Sequence, residues 1–137
     1  MNLFGLIETS GSAMEAERMR AEIVAVNMAN AETTRTEAGQ PYRRQMLVFA
    51  ANEPQGAFRH SFDEATQGHG TLLAPSIDRF APGVHIAAVV EDPAPPLKRY
   101  DPGHPDAGPD GYVSYPNINP VTEMVDLMGA TRAYGLN

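Results

Sequence analysis

The feature that most constrains this chain is a long proline-free run near its beginning, residues 3–30. After Gly11 the run is dominated by Ala, Met, Glu and Arg, which have high intrinsic helix propensity. No proline occurs before Pro41, although the chain contains 12 prolines and 12 glycines, so these helix-breaking residues are concentrated further along. The sequence therefore predicts a long N-terminal helix that ends near Asn30, followed by an irregular middle.

The apolar side chains of this helix fall into two rows at 3.6 residues per turn, with most of the charged residues in the gaps between them. A helix on the surface of an isolated globule needs one apolar stripe, so two rows favour neighbours on two sides. A core helix that is simply well buried would show the same pattern, and the pattern alone leaves both interpretations open. The first row contains Ala16, Met19, Ile23 and Val26, and the second contains Leu3, Ile7, Met14, Ala21, Val24, Ala25 and Met28.

The middle of the chain contains short segments with the composition of β-strands, at residues 42–49, 84–91, 97–100 and 111–115. Between the first two, residues 51–82 show no periodicity and are polar and rich in glycine. A stretch of this length without regular structure is unusual inside a compact domain, so we expect a long irregular insertion on the surface.

The end of the chain carries the signals of a second helix. Asn119 suits the N-cap, Pro120 suits the first helical position, and Glu123 lies in the first turn, where it faces the helix dipole. The two helices are natural partners, and we expect one row of the first to pack on the second while the other row faces outward. The sequence thus predicts an α+β fold with a terminal helix over 1–32, a small β-rich region over 33–118 and a helix over 119–137.

The composition excludes several classes of function. The net charge of −7 argues against nucleic acid or an anionic membrane surface as a partner, because both require clustered Lys and Arg. The absence of cysteine excludes disulfides, thiol nucleophiles and cysteine metal sites. No run approaches the roughly 20 apolar residues of a membrane-spanning helix, and the first residues lack the pattern of a secretory signal. We therefore expect neither membrane insertion nor a cleaved signal peptide.

Metal or catalytic chemistry has few candidates. His60, His69, His85 and His104 form no pair at the helical spacing of metal ligands. The acidic loop over 101–110 lacks the alternating ligands and the closing glutamate of a helix–loop–helix calcium site. Neither a phosphate-binding glycine loop nor a nucleophile elbow occurs. We expect no cofactor and no enzymatic activity, with a metal-binding domain built on these residues as the alternative.

Several short motifs nevertheless occur in a specific order. They are Ser-Ala-Met at 12–14, an A-x-N-x-A-N pattern within 24–31, Gly-Gln-Pro-Tyr-Arg-Arg at 39–44, Gly-Tyr-Val followed by Pro-Asn-Ile within 111–118, and a Met- and Tyr-containing block over 123–137. In this order and spacing the chain resembles the bacterial flagellar basal-body rod proteins, and among them the proximal rod proteins of the FlgC family. The resemblance covers both ends of the chain and leaves residues 51–82 without a counterpart.

The resemblance implies a structural subunit of the proximal rod in the flagellar basal body, required for motility. Such proteins pass through the flagellar type III export apparatus without a cleaved signal, and they assemble helically with copies of themselves and other rod proteins in the periplasmic space. Their terminal helices pair as an antiparallel coiled coil, with the β region outside the tube. Family members extend the last helix beyond the position of Asn137, so a truncated C terminus is also implied. An export chaperone or a regulatory helical binding module is the alternative.

The predicted site is an assembly interface rather than an active site. Two of its members have a second interpretation, because Asn27 and Asn30 could cap the end of the helix or could hydrogen-bond to neighbouring subunits. The predicted interface consists of Met14, Met19, Ile23, Val26, Asn27, Asn30, Tyr42, Arg43, Met124, Met128 and Tyr134.

Overall fold

A computed structural model describes residues 3–51 and 83–137 of the chain. The order of its elements confirms the predicted α+β fold, with a helix at each end and short strands between them. The elements are α1 (Leu3–Ala29), β1 (Gln45–Ala51), β2 (Val84–Glu91), β3 (Leu97–Tyr100), β4 (Tyr112–Tyr115) and α2 (Pro120–Leu136).

The helix α1 ends where the sequence predicts, one residue before Asn30. The side-chain amide of Asn30 donates to the carbonyl of Val26 at 2.9 Å, and its Oδ1 accepts from the hydroxyl of Thr33 at 3.1 Å. The backbone then turns, with the N–H of Thr33 donating to the carbonyl of Asn30 at 3.0 Å. Asn30 therefore satisfies polar groups at the helix end, as one of its two predicted roles requires.

The helix α2 begins with the cap that the sequence predicts. Asn119 has an extended backbone, and its Oδ1 accepts from the backbone N–H of Val121 at 3.0 Å. Pro120 occupies the first helical position, where its missing N–H costs nothing.

The two helices pack against each other in antiparallel orientation. Arg20 of α1 lies 3.6 Å from Asp126 of α2, and Asn27 of α1 reaches Glu123 of α2. Residue numbers thus fall along one helix as they rise along the other. The most buried positions of the pair are Ala16, Val24 and Asn27 on α1, and Glu123 and Ala130 on α2.

The expectation that one whole apolar row of α1 would pack on α2 is wrong. The buried positions take Ala16 from the first row and Val24 from the second, while Met19 and Val26 of the first row are exposed. The helices meet along a line that takes Ala16 from the first row and includes Arg20 and Asn27, which belong to neither row. Most members of the two rows are large apolar side chains, and small residues allow two helix backbones to approach more closely than those side chains do.

The strands form two antiparallel pairs, β1 with β2 and β3 with β4. The β1–β2 register runs from Gln45 opposite Glu91 to Ala51 opposite Val84, with an irregularity beside Val48. Helix α1 contacts both strands of this pair, and Ser12 on the helix accepts the backbone N–H of Val84 at 3.2 Å. The first sheet is therefore attached along α1.

Three of the four predicted strands match the observed ones closely, and the first is displaced. It begins at Gln45 rather than at residue 42, because the backbone N–H of Tyr42 is directed to the carbonyl of Thr33 at 3.1 Å. Ala51 belongs to β1, and the rest of the predicted insertion, residues 52–82, lies outside the described residues. Within the described part of the chain, no helix is long and apolar enough to cross a membrane.

Candidate functional site

The central feature of the structure is a polar cluster formed by the side chains of Asn27, Tyr42, Arg44 and Glu123. Asn27 is 1% exposed, yet the donor and acceptor groups of its side-chain amide all make hydrogen bonds. Its Nδ2 donates to the carbonyl of Gln45 at 2.8 Å and to Oε2 of Glu123 at 3.3 Å. Its Oδ1 accepts from the backbone N–H of Gln45 at 2.9 Å and from the hydroxyl of Tyr42 at 3.1 Å. One amide thus joins α1, the start of β1 and α2.

Glu123 supplies the negative charge of the cluster. It is 1% exposed, and its Oε1 accepts from Nε of Arg44 at 2.6 Å while its Oε2 faces Asn27. A buried carboxylate requires a cation and hydrogen-bond donors, and both are present here. The Arg44 side chain remains 24% exposed, so the pair lies at the edge of the interior with the arginine toward solvent.

A second carboxylate extends the cluster along the helix pair. Asp126, one turn after Glu123, lies 3.6 Å from Arg44 and 3.6 Å from Arg20 of α1. Arg20 also lies 3.7 Å from Glu17 on its own helix. Opposite charges therefore alternate along this edge, and the two arginines bridge the elements that carry the acids.

Tyr42 completes the cluster on the side of the β region. Burial raises the pKa of its phenol above the ordinary value, and the nearby carboxylates of Glu91 and Glu123 raise that pKa further. Its hydroxyl donates to Asn27, so the neutral form of the phenol is the one that fits the cluster.

A groove of about 310 Å³ opens beside the polar cluster, between α1, β1 and α2. The groove is lined by apolar side chains of α1 and β1 together with charged side chains beside the polar cluster. The residues include Arg20, Ile23, Arg44, Leu47, Phe49 and Asp126.

The exposed sides of the two helices, here their outer faces, carry many large apolar side chains. On α2, Met128 is 71% exposed, and Val121, Met124 and Val125 are also exposed. On α1, the first two turns expose large apolar side chains, as do positions further along. Exposed apolar side chains in such numbers are typical of surfaces that pack against other molecules. The exposed residues on α1 are Leu3, Phe4, Leu6, Ile7, Met19 and Val26.

The predicted interface residues fall into three environments. Asn27 is buried, and its amide bonds are made within the chain. Arg43 is exposed, and no ion pair to it occurs within the described residues. Met14, Ile23, Asn30 and Tyr42 are partly buried, whereas Met19, Val26, Met124, Met128 and Tyr134 are exposed on the helices.

Sequence reasoning missed the two charged members of the cluster. The predicted interface includes Arg43, but its neighbour Arg44 is the residue that reaches Glu123. For Glu123 the sequence predicts only a favourable interaction with the helix dipole. Its position seven residues before Ala130, which is buried on the same side of α2, was the available signal, because a charge on a buried helix face requires a partner.

Two of the candidate metal residues, Asp106 and His104, make hydrogen bonds or ion pairs with other residues of the chain. Asp106 accepts from the hydroxyl of Thr34 at 2.7 Å and pairs with Arg35 at 3.6 Å. His104 accepts the backbone N–H of Asp106 through Nδ1 at 3.1 Å. Over residues 3–51 and 83–137 there is no group of three His, Asp or Glu side chains arranged to hold a metal ion. His60 and His69 lie outside the described residues.

Comparisons with known proteins identify the class of protein to which this fold belongs. Residues 110–137 match the family model described as "Flagellar basal body rod FlgEFG protein C-terminal". These residues contain β4 and all of α2, including Glu123 and the exposed methionines.

Full-length relatives specify the family further. The chain is 36% identical over 143 residues to the flagellar basal-body rod protein FlgC of Borreliella burgdorferi, covering all of this chain and 87% of that protein. It is 36% identical to FlgC of Escherichia coli O6:H1, covering 86% of that protein, and 35% identical to FlgC of Bacillus subtilis, covering 87%. The chain belongs to the FlgC family of flagellar basal-body rod proteins. The resemblance seen in the sequence is confirmed, and the chain is a structural component located in the flagellar basal body.

Proposed function

We propose that this chain is a subunit of the proximal rod that packs, through the outer faces of α1 and α2, against copies of itself and other rod proteins. The observation that carries the proposal is the exposure of large apolar side chains along both helices. Burial of such surface contributes roughly 25 cal/mol per Å², so a second layer of helices would gain considerable free energy there. Methionine, which adapts to different packing surfaces, supplies three of the positions.

The predicted interface residues divide into direct and indirect contributors in this proposal. Met19, Val26, Met124, Met128 and Tyr134 contact neighbouring subunits directly, since they are exposed on the helices. Arg43 and Asn30 contribute polar contacts beside them. Met14, Ile23, Asn27 and Tyr42 act from within the chain by holding α1 and the β region in place.

The helices and the β-rich region occupy different parts of the rod in this proposal. The terminal helices, within residues 1–32 and 119–137, form the inner tube of the rod, and the β-rich region over 33–118 lies outside it. The family relationship supports a route through the flagellar export apparatus, without a cleaved signal, into the periplasmic space. A chain without cysteine suits this route, because it cannot form incorrect disulfides in an oxidising compartment.

The test replaces two exposed methionines of α2 with acids, Met124→Glu and Met128→Glu, in a strain that lacks its own copy of the gene. The purified variant should keep its unfolding free energy within about 0.5 kcal/mol per substitution, because both side chains are exposed. It should fail to enter basal bodies purified from the cells, and swarming in soft agar should be lost.

A matched control makes the same change of chemistry on the β region. Leu97 is also an exposed apolar residue, and Leu97→Glu should retain incorporation and swarming. Normal incorporation of the double methionine variant would contradict the proposed surface.

A further inference from the structure

The contact between the two helices is built from small residues that could fit in more than one axial position. Ala16 and Ala130 are its most buried apolar members, at 5% and 0% exposure. Ala13 lies three residues before Ala16, and Ala133 lies three residues after Ala130. Sliding one helix by about one turn, roughly 5.4 Å, therefore still places one alanine opposite another, either Ala13 opposite Ala130 or Ala16 opposite Ala133. Apolar packing alone discriminates weakly between such registers.

The polar cluster discriminates strongly between them. Asn27 uses both of its donor hydrogens and both acceptor positions in bonds to β1, to α2 and to Tyr42 in the loop before β1. Glu123 has both carboxylate oxygens occupied, one by Arg44 and one by Asn27. A slide of one turn would leave a buried carboxylate without its cation and a buried amide without its partners, which is among the costliest arrangements in a protein interior.

We infer that the polar cluster of Asn27, Tyr42, Arg44 and Glu123 fixes the axial register of α1 and α2. A buried polar residue at a helix interface is a known means of specifying register, often at some cost in stability. Asp126 reinforces the same register, because Arg20 and Arg44 approach it from two different elements. The register determines which outer side chains of α1 lie beside those of α2. The inference concerns the single chain and does not rest on the proposed function.

The experiment measures the register directly by the distance between two spin labels. The chain contains no cysteine, so Glu22→Cys and Arg132→Cys introduce the only two attachment sites. Both positions are exposed, and with Arg20 opposite Asp126 the two labels are offset along the helix axis by about 12 Å. A slide of one turn changes this offset by about 5.4 Å, which pulsed electron paramagnetic resonance resolves.

The test variant replaces the cluster by apolar residues of similar size, Asn27→Leu, Arg44→Met and Glu123→Leu. We expect the unsubstituted labelled chain to give one distance and the triple variant to give a second population displaced by about one turn. A helical variant with only the original distance would overturn the inference. So would a distribution that merely broadens around the original distance, because that reports loosened helices rather than a changed register.

A milder pair of variants covers the case in which the triple variant does not form helices. Asn27→Ala removes the amide at the centre of the cluster, and Asn30→Ala removes an amide that bonds only to nearby residues of the same segment. A displaced second population in Asn27→Ala, absent from Asn30→Ala, supports the inference. A single unchanged distance in Asn27→Ala overturns it.

Discussion

Nε of Arg44 donates to Oε1 of Glu123 at 2.6 Å, joining the residue before β1 to the first turn of α2 across 79 positions of sequence. The pair brings together parts of the chain that lie on either side of residues 52–82. Its acid is buried and its base is partly exposed. The hydrophobic contribution of this small fold is limited, because few apolar residues are fully buried among those described. Specific polar contacts therefore contribute a large part of what holds its helices and strands together.

Removal of the base should destabilise the fold strongly. Arg44→Ala leaves the buried carboxylate of Glu123 without its cation, and we expect a loss of about 3 kcal/mol in the free energy of unfolding. Arg43→Ala is the matched control, because its side chain is the exposed neighbour, and it should change that free energy by less than about 0.5 kcal/mol. Urea denaturation followed by circular dichroism measures both. Equal losses for the two arginines would show that the ion pair has no special role.

The two asparagines at the end of α1 should also differ in how much unfolding free energy is lost when each is replaced by alanine. Asn27→Ala strands the donor and acceptor groups of Gln45 and the hydroxyl of Tyr42, and we expect a loss of about 2–4 kcal/mol in stability. Asn30→Ala removes only local bonds at a partly exposed site, at about 0.5–1 kcal/mol.

Motility provides a second measurement for Asn30. If Asn30 contacts a neighbouring subunit, Asn30→Ala should leave expression and export intact and reduce swarming in soft agar. Normal swarming would assign Asn30 to helix termination alone.

Much of the fold could be predicted from local sequence signals. The proline-free start, the Asn119–Pro120 cap and the alternating segments each depend on neighbours in sequence, and the structure places these elements almost where the signals do. The start of β1 could not be predicted in this way. Residues 42–44 have strand composition, but the backbone N–H of Tyr42 donates to the carbonyl of Thr33, and that contact overrides the local preference for strand.

The candidate site was harder to predict from the sequence, because its polar members depend on contacts between distant segments. Exposed apolar residues such as Met124 and Met128 could be recognised from helical periodicity, because they form a row on one helix. The choice between Arg43 and Arg44 depended on which side chain points toward α2, and that direction is set by the path of the backbone into β1. A buried position for Glu123 likewise depended on two distant segments supplying its partners.

The pKa of Tyr42 predicts a specific pH dependence. Because burial and nearby carboxylates raise it in the fold, the phenol of the unfolded chain ionises first, near its ordinary pKa of about 10. The contribution of Tyr42 to stability is therefore complete below pH 10 and is lost as the pH rises through the higher pKa of the folded state. In urea denaturation above pH 10, the wild-type chain should lose stability more steeply than Tyr42→Phe, which cannot ionise at this site. Parallel curves for the two chains would contradict the prediction.

Substitutions at Gly111 and Gly39 can distinguish two energetic costs of adding a side chain, backbone strain at positive φ and a steric contact. Both have positive φ, at 76° and 74°. A Cβ at Gly39 would meet nothing within 4 Å, so Gly39→Ala should lose only the backbone term, about 1–2 kcal/mol. A Cβ at Gly111 would lie 2.7 Å from the ring of Tyr100, which packs edge-on against Tyr112. Gly111→Ala should therefore lose a further 0.5–1.5 kcal/mol or so through the displaced ring.

A double-mutant cycle with Tyr100→Ala checks the second term. In the Tyr100→Ala background the ring is absent, so the Gly111→Ala cost should fall to that of Gly39→Ala, as urea denaturation of the four chains would show. If the Gly111→Ala cost is the same with and without the ring, the contact with Tyr100 contributes nothing. The strain would then lie in the backbone alone, because the β3–β4 turn would tolerate the movement of Tyr100 without loss.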